Sequence, residues 1–239
     1  MKKVLFWFFQ NPTAMTALIS ILIALLAYLY QRREKKKYRA YEIAVDYAND
    51  IIPRMRIVNS IIESLGLQSI FKKLEGFTSF DNLELISLLK KQDLCINDIE
   101  ARLKSIESLH FNVAQIGNCI DFQSKTNWKL ISEVPEDKVF DLNAKVFKRF
   151  TIDTLNKMEA MAMLMRYNLA DEKMIYQSLH QTFLSSIFIC YYFIAVDNFL
   201  GDNRYFDNMI WLYWQWNHRK QKERKKTLHN STPYKSMKL

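Results

Sequence analysis

The sequence predicts an all-α protein: a single N-terminal transmembrane helix followed by a cytoplasmic helical bundle. Three observations predict it. Only four glycines and four prolines are spread through 239 residues. That is too few for an antiparallel sheet, which needs a connection about every ten residues. The run TAMTALISILIALLAYLY, residues 13–30, has no charged side chain. Much of the remainder repeats its apolar residues every three or four positions.

The uncharged run spans roughly 27 Å as a helix, close to the ~30 Å hydrocarbon core of a bilayer. Thr13, Thr16, Ala17, Ser20, Ile21, Ala24, Ala27 and Tyr30 mark the anchor along its length. Asn11 and Pro12 suit the N-cap and first helical position. Phe6–Phe9 before the run, and Tyr28 and Tyr30 at its end, suit the two interfaces. A cleaved signal peptide fits less well: Gln10-Asn11-Pro12 interrupts the apolar region, and no small-x-small site closes it. Thr16, Ser20 and Ala24 recur at i+4 beside Ala17 and Ala27, a small-residue stripe through which membrane helices self-associate.

The net charge of +9 is concentrated at the ends. Arg32, Arg33, Lys35, Lys36, Lys37 and Arg39 follow the anchor, with Glu34 as the one acid among them. Residues 219–239 carry eight basic side chains against Glu223, so the body between is net acidic. A general nucleic-acid binder spreads its basic residues over the folded face instead. The organisation expected is a membrane anchor with its basic cluster over 1–39, a helical domain over 40–218 and a basic, disordered tail over 219–239. The positive-inside rule places everything after residue 31 in the cytoplasm and the N-terminus outside. The basic cluster also suits anionic headgroups, so the bilayer is the first expected partner. Three irregularly spaced cysteines, Cys95, Cys119 and Cys190, suit a reducing compartment.

Within the body, residues 38–65 read as one or two helices kinked at Pro53 and ended by Gly66. A short helix follows over Asp81–Leu89, opened by Thr78 or Ser79. Ile96, Ile99, Leu103, Ile106, His110, Val113, Gly117 and Ile120 form a seam predicting one helix over 96–120. Glu107 and His110 make a lone E-x-x-H, whereas di-iron bundles need two such motifs. No metal or other cofactor is expected, and His110 reads as a core residue. A loop lies around 127–138. A long helix then runs to about Tyr167 with the stripe Leu155, Met158, Ala162, Met165 and Leu169. Its methionine-rich run, 158–165, fills core in the commoner case and lines a partner groove in the rarer one. Asp171 opens the next helix, and a last one covers about 204–226.

That next helix contains FLSSIFICYYFIAV, residues 183–196, a second uncharged run. Its length favours a buried core helix at rest over a span. A span would also put the basic tail outside, against the positive-inside rule. Extended to Leu200, the run is a marginal span, so Phe183, Ile187, Ile189, Tyr191, Phe193 and Val196 are candidates to engage lipid conditionally. Near the C-terminus, WLYWQW beside HRKQKERKK fits an aromatic helix packed on the bundle, an interfacial helix or a single-strand RNA contact. No phosphate-binding loop, dinucleotide fingerprint, zincin motif or nucleophile elbow is present. The function class expected is not an enzyme.

Leu155, Asn156 and Glu159, as L-N-x-x-E on a helix followed by a turn and Asp171-Glu172, resemble an uncharacterised family of bacterial membrane-anchored helical proteins. The resemblance covers about residues 13–60 and 140–200. The overall layout is similar to the transmembrane effectors of retron antiviral systems. That similarity implies an inner-membrane protein held inactive by a reverse transcriptase–noncoding RNA complex. Release would damage the membrane and abort the infection. The alternative reading of the residues is a tethered scaffold that recruits a cytoplasmic protein or ribonucleoprotein.

Overall fold

The computed structural model describes residues 12–74, 76–108, 119–120, 130–131, 144–198 and 204–230. Helix α1, Pro12–Asp46, is 35 residues long, about 52 Å at the usual rise per residue. No glycine or proline follows Pro12 until Pro53, and nothing in between stops the helix. The chain then passes through a π-helical turn, Tyr47–Ile51, into α2, Ile52–Ser64. Pro53 has no N–H to offer the preceding turn. The wider turn sits immediately before it, and Asp46, Ile51 and Ile52 all keep right-handed helical backbone angles. The expected break is thus absorbed within a continuous helical path.

Gly66, at φ +66°, ends α2. The Leu67 amide bonds the Ile62 carbonyl and the Gly66 amide bonds that of Glu63, a closing pattern that requires a left-handed residue. Helix α3 is Gln68–Lys73 and α4 is Asn82–Lys90. The cap of α4 is Asp81, which accepts from the Glu84 amide at 2.8 Å. Thr78 and Ser79, the expected caps, instead donate to the Glu84 carboxylate from outside the helix.

The seam over 96–120 is shorter than expected. Helix α5 covers Ile96–Lys104 and tightens into a 3-10 turn, Ser105–Ser108. The Ser105 hydroxyl donates to the Arg102 carbonyl at 2.7 Å, satisfying an acceptor that a continuing helix would have used. Ile99, Leu103 and Ile106 are buried as the periodicity requires. Ile120 is not helical: Cys119–Ile120 pairs antiparallel with Leu130–Ile131. His110, Val113 and Gly117 lie outside the described residues.

Helix α6, Ala144–Arg166, buries Phe147, Phe150, Thr154, Leu155, Met158, Met161, Ala162 and Met165 on one stripe. The methionines at 158, 161 and 165 are core filling. Leu169, expected on this stripe, lies beyond the helix end and is exposed. Asn168, at φ +57°, turns the chain there. Helix α7, Glu172–Asp197, is capped by Asp171, whose carboxylate accepts from the Lys173 and Met174 amides.

Helix α8, Asp207–Asn230, runs past the expected end at Lys226 and through the first half of the tail expected to be disordered. Arg219 pairs with Glu223 one turn on and with Glu172 of α7, and no helix breaker occurs before Pro233. Among the described residues the regular structure is helical apart from the short pairing at 119–120 and 130–131, and α7 is its axis. Helices α1, α2, α3, α4, α6 and α8 all touch it.

Candidate membrane interface and the buried apolar helix

The apolar half of α1 is uncovered. Thr13, Thr16, Ala17, Ser20, Ile21, Ala24, Ala27 and Tyr30 are all exposed, and so are Leu18, Leu22, Leu25 and Leu29 between them. Exposed apolar area continuous around a helix is unfavourable in water. The two hydroxyl groups are satisfied internally, Thr16 donating to the Thr13 carbonyl and Ser20 to that of Thr16. Internal satisfaction of this kind is what a lipid environment demands. Among the described residues, two helices are long and apolar enough to cross a membrane. One contains this segment, whose window is 0% buried, and the other is α7, whose window is 61% buried.

The basic cluster follows on the same helix. Lys37 pairs with Glu34 at 2.8 Å and Arg39 with Glu42 at 3.4 Å. Lys36 joins α1 to the α6–α7 turn. Its ammonium donates to the Asn168 side-chain oxygen at 2.7 Å, and its carbonyl accepts from the Asp171 amide at 3.2 Å. Arg32, Arg33 and Lys35 are exposed and make no ion pair among the described residues.

The second apolar run lies in the core. Phe183, Ile187, Tyr191 and Phe193 are buried, while Ile189 and Val196 are partly so. Three tyrosines of α7 donate to carboxylates carried by other helices. Tyr191 reaches Glu84 of α4 at 2.9 Å, Tyr192 reaches Glu100 of α5 at 2.6 Å, and Tyr176 reaches Glu223 of α8 at 2.8 Å. In return, Glu172 of α7 accepts from the indole N–H of Trp216 at 2.7 Å. Trp216 is fully buried against Phe183 and Tyr176. The aromatic run of α8 therefore packs on the bundle, with Trp211, Tyr213 and Trp214 half-buried.

Burial alone would raise the affinity of these carboxylates for protons, but their hydrogen bonds outweigh it. Glu84 is held below its ordinary range by Ser79, Thr78 and Tyr191 together. Glu100 is held low in the same way by Lys148 and Tyr192. For the exposed Glu223, the Tyr176 bond is the main cause of lowering. A further ionic cluster joins α2 and α6 to the π-helical turn. Asp50 accepts from Arg54 at 2.5 Å and from Lys157, and is held low by both against the opposing effect of burial.

The L-N-x-x-E positions have separate fates. Leu155 is core. Glu159 caps the N-terminus of α8, accepting from the Asn208 amide at 3.1 Å, its side-chain NH2 at 2.6 Å and the Met209 amide at 2.7 Å. A carboxylate at this place satisfies free N–H groups and meets the positive end of the helix dipole. Asn156 is exposed and takes no part in the cap. The pairing of Glu84, Glu100, Glu172 and Glu223 with aromatic side chains escaped the sequence reading because each partner is more than 40 positions away. Among the described residues, no group of three or more acidic, histidine or cysteine side chains is placed to hold a metal.

A family model described as a domain of unknown function, DUF4760, matches residues 124–216. The match takes in α6, α7 and the first part of α8, and with them Glu159, Glu172 and Trp216. No curated protein matches the chain, and no solved structure does.

Proposed function

We propose that the chain is a membrane-tethered effector module. The single N-terminal span is α1, the bundle lies on the cytoplasmic face of a bacterial inner membrane, and α7 is the segment held in reserve. The observation that carries the reading is the continuity of α1. One helix runs from an exposed apolar half, through six basic residues, into the packed core at Ala40 and Ile43. Any force on the bundle is thereby transmitted to the span without an intervening loop. The antiviral setting comes from the similarity of layout to retron effectors. In that setting, a reverse transcriptase–noncoding RNA complex restrains the chain.

The energetics make α7 a stored element and not a loosely held one. Thirteen of its residues are buried, and full burial of each large apolar side chain contributes roughly 1.5–3 kcal/mol. Lipid compensates α7 for leaving the core but does nothing for the faces it uncovers on α2, α3, α4, α6 and α8. Activation thus requires a partner or a second copy to cover those faces. Forced expression of the chain without partners tests this. The reading expects loss of membrane potential and entry of an impermeant dye, both abolished by Ile21→Arg. Growth arrest with an intact potential would remove the membrane-damage element.

The scaffold reading retains support from one feature. A groove of about 330 Å³ lies between α1 and α6, lined by Ile43, Asp46, Asp50, Lys157, Ala160 and Leu164. It is a recruitment surface if expression proves harmless.

A further inference from the structure

We propose that the groove between α1 and the α6–α7 turn binds the headgroup of an anionic phospholipid from the leaflet that the anchor enters. The inference rests on the membrane reading above and gives it a specific ligand site.

Tyr28, Gln31, Arg32, Lys35 and Lys36 form one wall of the groove, and Tyr167, Asn168 and Leu169 form the other, around about 290 Å³. The α1 residues recur at three- and four-residue intervals, so they share one face. Three cations line the groove and no acid does. Glu34, the acid within the cluster, is occupied by Lys37, and neither residue lines the groove. Lys36 is oriented by its bond to Asn168. Arg32 and Lys35 project from the same face without an ion pair among the described residues.

Depth selects a lipid over a soluble anion. The α6–α7 turn is fixed to α1 at Lys36, six residues past Tyr30 and thus about 9 Å further along the axis. Each headgroup layer is roughly 5–8 Å thick, so the groove, which begins at Tyr28, crosses that layer and ends at its outer edge. Its lining offers both chemistries of a lipid. Tyr28 and Leu169 offer apolar surface, whereas Arg32, Lys35 and Lys36 offer charge. Leu169 carries a second indication. Its amide bonds the Leu164 carbonyl and the Asn168 amide bonds that of Met165. In this helix-closing pattern the residue at Leu169's place usually folds its apolar side chain back onto the helix. Here Leu169 is 55% exposed and Tyr167 is 64% exposed. Both leave large ring or aliphatic surface uncovered at the groove.

The test uses the full chain in nanodiscs, either of phosphatidylcholine alone or of three parts phosphatidylcholine to one part phosphatidylglycerol. Lipids retained after gentle release are read by native mass spectrometry. Wild type should retain phosphatidylglycerol in preference. Arg32→Gln with Lys35→Gln should reduce that preference roughly tenfold, and Leu169→Ser should reduce it with no change of charge. Arg33→Gln with Lys37→Gln removes the same charge outside the groove and should leave the preference intact. Equal losses in both double variants would mean diffuse attraction and overturn the site. Competition by soluble glycerol phosphate would identify a free-anion site and overturn the lipid assignment. Incorporation into both discs with no preference would overturn this inference alone. Failure to enter either disc would overturn the membrane reading and the site with it.

Discussion

The Tyr192 hydroxyl of α7 donates to Glu100 of α5 at 2.6 Å, and Lys148 of α6 reaches the same carboxylate at 2.7 Å. One half-buried acid thus ties three helices together. Tyr192→Phe should cost about 1–2 kcal/mol, because a hydrogen bond to a charged group exceeds a neutral one. Glu100→Gln should cost at least as much, since Lys148 then loses its partner. The double variant should be less destabilised than the sum. Thermal unfolding in a mild detergent measures all three, and strict additivity would mean that the contact contributes nothing.

Glu159→Ala should destabilise by about 1–2 kcal/mol through loss of the α8 cap. Hydrogen exchange should quicken at Asn208 and Met209, whose amides bond Glu159. Asn156→Ala, three residues away on the surface, should stay within about 0.5 kcal/mol. The reverse order would assign the family-like motif a role other than capping.

The carboxylates holding α7 set a pH dependence with a definite sign. Glu84, Glu100 and Glu223 are all held below their ordinary range in the folded chain. Their contribution is therefore present above the unfolded glutamate pKa, roughly 4.3. It is lost as pH falls through their lowered folded values. Stability should be level from neutrality to about pH 5 and decline below about pH 4. Replacing Tyr191 and Tyr192 by phenylalanine should flatten that decline, as followed by near-ultraviolet circular dichroism across a pH series. An unchanged acid limb in the variant would detach these tyrosines from the effect.

Ile21→Arg places a charge near the centre of the proposed span, at a cost of ~2.5–3.5 kcal/mol on insertion scales. The variant should move from the membrane pellet to the soluble or aggregated fraction. Arg33→Gln should not. Equal distribution of the two would show that association with membranes does not run through α1.

The helical class was legible from the scarcity of turn residues, and α6 and α7 were legible from periodicity and from Asp171. The seam over 96–120 was misread beyond Lys104 because a three-four pattern does not register where serines end a helix. The Ser105 hydroxyl donates to the Arg102 carbonyl, and no apolar residue signals that. The basic end was legible as a helix to about Lys226, and α8 ends at Asn230. Its contacts were not legible: Arg219 stacks on Tyr176 at 3.7 Å while Glu223 holds the Tyr176 hydroxyl. Those contacts span more than 40 residues of sequence, so no local window contains them. The same distance hid the acids that hold α7. Glu84 and Tyr191 are 107 positions apart, and only the folded chain makes them a pair.

The claim that α1 carries the bundle on a membrane is tested most directly by the accessibility of Leu22. Leu22 is 49% exposed and Tyr41, beyond the basic cluster, is 59% exposed. In a background with Cys95 and Cys119 replaced by serine, Leu22→Cys and Tyr41→Cys are treated with a membrane-impermeant maleimide in inverted inner-membrane vesicles. The account predicts fast labelling at position 41 and none at position 22 until detergent is added. Equal labelling of the two positions in intact vesicles would place the apolar half of α1 in water and contradict the account.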